Sequence, residues 1–465
     1  MAGFDKYGVK SNRRWWLCLL LFAATMLSYL ACQVLPLTYE DFIKPHFHWT
    51  DTDYGTIISI FSVFYAVSSL FAGKFVDWMG TRKGYVIAVG VWSGGACLYG
   101  LCGWATARLI PGIDGSAALE TVDAGSETAL LVGSISVFLF LLCTGILALG
   151  QAGNYPAAIK VTAEYFPRKD RAFATSLFNA GVFAGILAAP LVIPFLASAY
   201  GWETAFVTIG VLGFVWMILW AFVNDQPEKG VMPQQKGISI WDALKNRRTW
   251  SFIAGKFFTD GVWWFFLFWI PSYFRNQFNA SATSGMGREL LLTFYAIVTV
   301  VSIFGGYLPK LFVNRRGMDP YSGRMLAMLI FAFFPVAALF AQPLGIGMDS
   351  PWIPAILMGL AAAGYQAWSV NLYSTVGDMF PKGSIATITG IGAMAGGIGS
   401  VIMQKAAGWL LTYSENAGEA FRFLGSNGKS AGYFIVFCFC GVACLIAWAV
   451  MKVLVPKLSQ TSGAA

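Results

Sequence analysis

The stretch GKFVDWMGTRK, residues Gly73–Lys83, decides the fold class of this chain. It puts a charged turn with two glycines between apolar segments that are long enough to cross a bilayer. An acid near a helix end, followed by two cations, can hold neighbouring helices by charge and still let them slide. An ordinary basic inner loop is the alternative interpretation. We favour a conformational hinge on the cytoplasmic side of a membrane transporter, with the hinge residues Gly73, Asp77, Gly80, Arg82 and Lys83.

The composition excludes a water-soluble fold, because 57% of the 465 residues are hydrophobic and only 12% are charged. Twelve apolar runs are near or above the ~20 residues that a tilted helix needs to cross ~30 Å of hydrocarbon, whereas a strand needs about ten. The runs lie near residues 15 to 35, 54 to 75, 85 to 105, 130 to 150, 172 to 199, 205 to 223, 250 to 274, 290 to 311, 325 to 341, 353 to 376, 385 to 411 and 432 to 455. The sequence predicts an all-α polytopic membrane protein with twelve transmembrane helices.

The net charge of +8 is spread through short loops, without the basic stripe or arm that is typical of nucleic-acid binding. With the N-terminus inside, most Lys and Arg residues fall in cytoplasmic loops, as the positive-inside rule requires, and both termini are then cytoplasmic. The chain carries no evident nucleophile with a base, metal cluster or phosphate loop, so we expect neither an enzyme nor a cofactor. His46 and His48, in the first outer loop, are expected to be solvated.

The chain divides into two halves joined by a polar segment. We predict a six-helix bundle over residues 1–223, a cytoplasmic linker over 224–249 and a second six-helix bundle over 250–465. A weaker copy of the hinge pattern, with glycines and cations between Gly305 and Gly317, follows the eighth run and indicates internal duplication. Parallel halves of this kind place a substrate cavity near the bilayer midplane.

Two ionisable residues in the seventh run are candidates for function, because charges at membrane depth are costly. Lys256 and Asp260 lie four residues apart, so they share one helix face and can neutralise each other. A purely structural pair is the alternative to exposure in a cavity. Lys405, in the eleventh run, either extends outward to the interface or offers a second cation to the cavity.

Uncharged polar residues also cluster in the apolar runs. Such donors and acceptors suit a hydroxylated ligand, and hydrogen bonds that only hold helices together are the alternative. The candidate substrate-binding set, with Lys256 and Asp260, is Tyr29, Gln33, Gln151, Asn154, Tyr365, Gln366 and Asn371.

The hinge pattern resembles the signature of the major facilitator superfamily, and further stretches resemble the hexuronate branch of its anion:cation symporter family. These stretches are Gln151–Lys160 (QAGNYPAAIK), Glu164–Pro167 (EYFP), Lys256–Asp260 (KFFTD), Trp263 with Trp264, and Asp378–Pro381 (DMFP). The resemblance implies import of sugar acids such as glucuronate and galacturonate through the bacterial inner membrane, usually driven by protons. The implied partners are a carboxylated sugar, the lipid bilayer and protons.

The chain departs from that family at four charged positions. The family has an aspartate and an arginine just before Gln33, where this chain has Ala31 and Cys32. In the fourth run the family has an arginine and a glutamate, where this chain has Thr144 and Gln151. In the relatives those acids are linked to proton coupling and the arginines to the substrate carboxylate. We therefore expect uncoupled or weakly coupled movement, with Lys256 as the first candidate for the carboxylate.

Together these features predict a secondary transporter that moves a sugar acid, or a related small hydroxylated solute, by alternating access. The alternative is a membrane sensor or partner protein that keeps the transporter fold but moves no solute.

Overall fold

The computed structural model describes residues 11–166, 171–223, 239–381 and 384–456, and these residues are mostly helical. The helices are α1 Ser11–Thr38, α2 Lys44–Phe47, α3 Asp51–Tyr99, α4 Cys102–Leu109, α5 Glu127–Gln151, α6 Asn154–Tyr165, α7 Arg171–Tyr200, α8 Trp202–Val223, α9 Ile240–Leu244, α10 Arg247–Phe278, α11 Gly285–Ser302, α12 Phe304–Arg316, α13 Pro320–Ala332, α14 Ala338–Gly347, α15 Trp352–Met379, α16 Ile385–Ala417 and α17 Gly428–Leu454. A π-helical turn spans Tyr39–Ile43, and short 3₁₀ turns span Ser116–Leu119, Phe334–Ala337 and Gly418–Ala420. Two short antiparallel strands, β1 Arg422–Phe423 and β2 Ser426–Asn427, form a hairpin before α17.

The prediction of an all-α, multi-pass membrane protein is confirmed. Within the described residues, ten helices are long and apolar enough to cross a membrane, or eleven if Trp78–Tyr99 and Cys102–Leu109, which meet at a 52° bend, form one span. The predicted span 250 to 274 lies in α10. This helix has 32 residues but is not among the helices that are apolar enough to cross a membrane. Charged and polar residues interrupt its apolar sequence, so the count of twelve rests on α10 and stays a prediction.

Backbone contacts group the chain into two compact units. The first contains Met1–Pro233 and Leu267–Leu292, and the second contains Gln234–Phe266 and Thr293–Ala465. The division therefore cuts α10 between Phe266 and Leu267, four residues before Pro271 inside the helix. The domain boundaries expected from sequence remain a prediction, since residues 224–238 of the expected linker lie outside the described residues.

In the first unit, helices pack closely where glycine leaves room. A Cβ atom on Gly181 of α7 would lie 2.4 Å from the Phe22 carbonyl oxygen of α1, and one on Gly150 of α5 would lie 2.4 Å from the Trp92 amide nitrogen of α3. Such contacts bring backbones together without a large side chain between them. They hold α7 against α1 and α5 against α3.

The first outer loop differs from expectation at one of its histidines. His46 is buried, not solvated, and its Nε2 lies 3.1 Å from Ser116 Oγ. His48 Nε2 donates to the Leu119 carbonyl at 3.1 Å. The long outer loop after α4 is therefore tied to the turn that follows α2, which the sequence alone did not suggest.

Candidate functional site

Lys256 and Asp260 form an ion pair on α10 in the second unit. Lys256 Nζ lies 2.6 Å from Asp260 Oδ2, and the two side chains are 4% and 12% exposed. The pair forms because four residues are about one helical turn, which puts both side chains on one face. A buried ammonium beside a buried carboxylate satisfies much of the charge that each would otherwise leave uncompensated.

Two tyrosines of α15 complete this site. Lys256 Nζ donates to Tyr373 OH at 2.9 Å and also lies 4.4 Å from the centre of the Tyr373 ring. Tyr365 OH donates to Asp260 Oδ1 at 2.9 Å, and its ring stacks on Trp263. Tyr365 was among the predicted site residues, whereas Tyr373 was missed. Its position two helical turns after Tyr365 is the signal that could have found it.

A glycine of α16 makes room for the carboxylate of the pair. A Cβ atom on Gly396 would lie 2.1 Å from Asp260 Oδ2, closer than any side-chain atom can approach. The absence of a side chain at this position therefore lets Asp260 pack directly against the α16 backbone. Lys405 lies further along α16, and its side chain is exposed.

The site retains two hydrogen-bond donors for a ligand. An ammonium group has three N–H donors, and Asp260 and Tyr373 take two of those of Lys256. Tyr373 accepts from Lys256, which leaves its own hydroxyl hydrogen to donate, and the residue is 41% exposed. Two adjacent donors, one of them charged, match the two oxygens of a carboxylate.

The other predicted residues of α15 do not join this pair. Asn371 is buried and donates to the carbonyl oxygens of Gly305 and Ala367, each at 2.8 Å. It therefore fastens α15 to α12, in agreement with the packing alternative. Gln366 is half-buried beside Tyr365 in the sequence.

In the first unit, Gln151 joins α5 to α1. Its Nε2 donates to the Ser28 carbonyl at 2.9 Å, and its Oε1 accepts from Cys32 Sγ at 2.8 Å. Tyr99 OH and Thr144 Oγ1 form a second hydrogen bond of 2.5 Å. Of the four positions expected to differ from the family's charged residues, Cys32, Thr144 and Gln151 thus carry neutral side chains that form hydrogen bonds within the first unit.

These neutral positions lie around one small recess of the first unit. Its wall is mostly apolar and consists of Ala31, Cys32, Leu35, Pro36, Ile58, Phe61, Tyr99, Thr144, Leu147, Phe206 and Phe268. Nothing in that wall carries a charge, so this recess offers no counter-charge to a carboxylate.

Three further predicted residues of the first unit lie on α1 and α6. Asn154 accepts from Tyr85 OH at 2.6 Å, which links α6 to α3. Gln33 is fully buried on α1, and Tyr29 is half-buried one turn before it. The bond of Asn154 matches the alternative in which polar residues hold helices together.

The predicted hinge lies at a break inside α3. Gly80 has φ 77° and ψ 159°, a backbone conformation that is essentially restricted to glycine. Lys160 Nζ donates to the Val76 carbonyl at 3.0 Å just before the break, and Thr81 donates to Glu164 at 2.8 Å just after it. The break is therefore held from both sides by α6.

The remaining hinge residues surround this break. Arg82 donates to the Ala221 carbonyl of α8 at 3.1 Å, and Lys83 lines a recess with Arg82. Gly73 has open space where a side chain would be. The side chain of Asp77 lies outside the described part of the chain.

A charged cluster at the outer end of α1, which sequence reasoning missed, completes the polar features of the first unit. Lys44 Nζ lies 3.7 Å from Glu40 Oε2 and 3.2 Å from Asp51 Oδ1. Arg275 Nε lies 3.0 Å from Asp41 Oδ1. The signal available in sequence was the alternation of acids and cations between residues 40 and 51.

Comparison with known proteins agrees with this architecture. The Major Facilitator Superfamily model matches residues 21–404. The "Hexuronate transporter" of Escherichia coli (strain K12) is 24% identical over 420 residues, which cover 85% of this chain and 87% of that protein. The "Galacturonate transporter" of Dickeya chrysanthemi is 23% identical over 356 residues, which cover 71% and 92%.

Among solved structures, the chain is similar to a bacterial homologue of the human lysosomal transporter Spinster in an inward-facing and unoccupied conformation. The TM-score is 0.71 at 17% identity, and the match covers 97% of this chain and all of the other. This likeness supports the helical fold, and the family model spans well over half of the sequence. The protein therefore belongs to the Major Facilitator Superfamily.

Proposed function

We propose that this protein is a secondary transporter that moves a sugar acid of the hexuronate kind, or a related small hydroxylated solute, by alternating access. Two of its relatives are named for hexuronate and galacturonate transport, and their sequences align with 85% and 71% of this chain. The mechanism needs no covalent step, because binding and conformational change are sufficient to move a solute.

The observation that carries this proposal is the donor pair at Lys256 and Tyr373. The ammonium and the phenol hydroxyl lie 2.9 Å apart, and each keeps a hydrogen for a ligand. A carboxylate that binds both would form one charge-assisted hydrogen bond and one neutral one. The first unit offers only neutral groups at the family's charged positions, so recognition of the carboxylate falls to α10 and α15.

The turn around Gly80 is the proposed hinge of this movement. Its break in α3 and the contacts of Lys160, Thr81 and Arg82 support the role, because a break fixed at both ends can change angle without unfolding the helices. We place the protein in a bacterial inner membrane with both termini in the cytoplasm, on the distribution of Lys and Arg.

The test is uptake by liposomes that contain the purified protein. Labelled glucuronate and galacturonate should accumulate with saturable kinetics, while glucose, which lacks the carboxylate, should move far more slowly. If neither hexuronate nor glucose moves through folded protein, with or without a pH gradient, the transport proposal is wrong. Hexuronate binding without any flux would instead support the sensor that keeps the transporter fold.

A further inference from the structure

We propose that Asp260 takes up one proton when a carboxylated solute binds Lys256, and that Asp260 is therefore the proton site coupled to the solute. This inference rests on the carboxylate role proposed for Lys256. It differs from the uncoupled movement expected from sequence, because that expectation took the ion pair without a bound solute, whose carboxylate adds a second negative charge to the site.

The charge balance of the site leads to this proposal. Without a solute, the buried ammonium of Lys256 and the buried carboxylate of Asp260 compensate each other. The other groups of α15 in contact with the pair are the phenols of Tyr365 and Tyr373, and α16 presents Gly396 to Asp260. One cation is therefore the counter-charge for one carboxylate.

A bound sugar acid adds a second carboxylate to this single ammonium. Both side chains of the pair are nearly inaccessible to water, so an uncompensated negative charge there is costly. When two carboxylates share such a site, one of them binds a proton. Uptake of one proton restores the neutrality that the site has without solute.

The geometry assigns that proton to Asp260. Asp260 Oδ2 lies 2.6 Å from Lys256 Nζ, so a solute carboxylate on the remaining N–H of Lys256 comes close to Oδ2. A proton on Oδ2 can then be donated to the solute, while Oδ1 still accepts from Tyr365. The proton comes from water when the solute enters and returns to water when the solute leaves, and no other bond changes.

Infrared difference spectroscopy tests the proposal on the reconstituted full chain. Glucuronate is added near neutral pH, and a ¹³C label in its carboxylate shifts its own infrared bands away from those of the protein's carboxyl groups. We expect a new carbonyl band of a protonated carboxylic acid in the wild-type protein and none in Asp260→Asn. Glu415→Gln, which alters an exposed carboxylate paired with Lys429, should retain the band.

A second variant keeps the proposal testable if Asp260→Asn does not fold. Tyr365→Phe removes the hydrogen bond to Asp260 Oδ1, so the band should shift in frequency. A pH indicator should record about one proton taken up per glucuronate bound and none for glucose.

The possible failures are distinguishable. Glucuronate binding without a new acid band, a band that persists in Asp260→Asn, or a band that Tyr365→Phe leaves unshifted would overturn the proton role of Asp260 and leave transport standing. Absence of any hexuronate binding to the wild-type protein would remove the proposed function and this inference with it.

Discussion

Arg275 Nε lies 3.0 Å from Asp41 Oδ1, so the outer end of α10 is fixed to the turn that follows α1. Two neighbours of Arg275 on α10 bond to Glu40, the residue before Asp41. Ser272 Oγ donates to Glu40 Oε1 at 2.8 Å, and Asn276 Nδ2 donates to the same oxygen at 3.0 Å. Two adjacent carboxylates of one π-helical turn thus hold the part of α10 that belongs to the first unit. We refer to Glu40, Asp41, Ser272, Arg275 and Asn276 as the outer clasp.

Exchanging the charges of Asp41 and Arg275 should preserve part of the stability that their ion pair in the outer clasp provides. Asp41→Arg and Arg275→Asp alone should each lower the apparent melting temperature, because like charges then face each other. The double variant should recover part of the loss, with a coupling of about 1 kcal/mol or less, since Arg275 is 40% exposed. A double variant whose loss of stability equals the sum of the two single losses would contradict a direct pair.

Gly80→Ala should weaken folding of the first unit. Its φ of 77° is strained for any residue with a Cβ atom, at a cost of roughly 1–3 kcal/mol. Gly73→Ala is the matched control from the same helix, because it meets open space and needs no such φ. Thermal unfolding should show a loss for Gly80→Ala only, and equal behaviour of the two variants would argue against a strained hinge.

Gly396→Ala should displace Asp260, because the added methyl group would lie 2.1 Å from Oδ2. We expect weaker glucuronate uptake together with lower thermal stability, since a crowded buried site costs about 1–3 kcal/mol. Gly377→Ala of α15 meets open space and serves as the control. Normal uptake by Gly396→Ala would show that the position of Asp260 is not required.

Lys256→Gln should lower glucuronate affinity roughly ten- to a hundredfold, as expected for loss of a charge-assisted hydrogen bond of about 1.5–3 kcal/mol. The single change also leaves Asp260 as an uncompensated buried charge. Lys256→Gln combined with Asp260→Asn removes both charges and should regain stability without regaining affinity. Binding isotherms and melting curves measure the two effects separately, and equal losses for glucuronate and glucose would remove Lys256 from the carboxylate role.

Tyr373→Phe isolates the phenol hydroxyl from the ring. The ring contact with the Lys256 ammonium remains, while the donor to the ligand is lost, so affinity for glucuronate should fall by about 0.5–1.5 kcal/mol. Tyr413→Phe, on the exposed surface of α16, should leave the affinity unchanged. Unchanged binding by Tyr373→Phe would show that Lys256 receives the carboxylate alone.

The helical membrane architecture could be predicted from sequence, because apolar runs of membrane length have few alternatives in lipid. The pair Lys256–Asp260 was predictable for a similar reason, since four-residue spacing on one helix fixes both side chains on one face. The break of the run 325 to 341 at Pro335 was less visible. The run 325 to 341 contains the end of α13, a 3₁₀ turn and the start of α14, because local backbone geometry there depends on packing.

Contacts between distant helices could not be obtained in this way. Tyr373 reaches Lys256 across 117 positions of sequence, and Asp41 reaches Arg275 across 234. Hydropathy and spacing within one helix carry no information about which helix is the neighbour. The same limit explains why Asn371 was assigned to the substrate site, although its side chain bonds to the backbone of α12.

Pro271 interrupts the backbone hydrogen bonds of α10. It has no N–H to donate to the Leu267 carbonyl, and Leu267 is the residue at which the backbone contacts pass from one compact unit to the other. The N-terminal part of the helix carries the ammonium of Lys256, and the C-terminal part carries the guanidinium of Arg275, about 28 Å away along a helical rise of 1.5 Å per residue. Lys256 and the outer clasp consequently lie on opposite sides of a missing helical hydrogen bond.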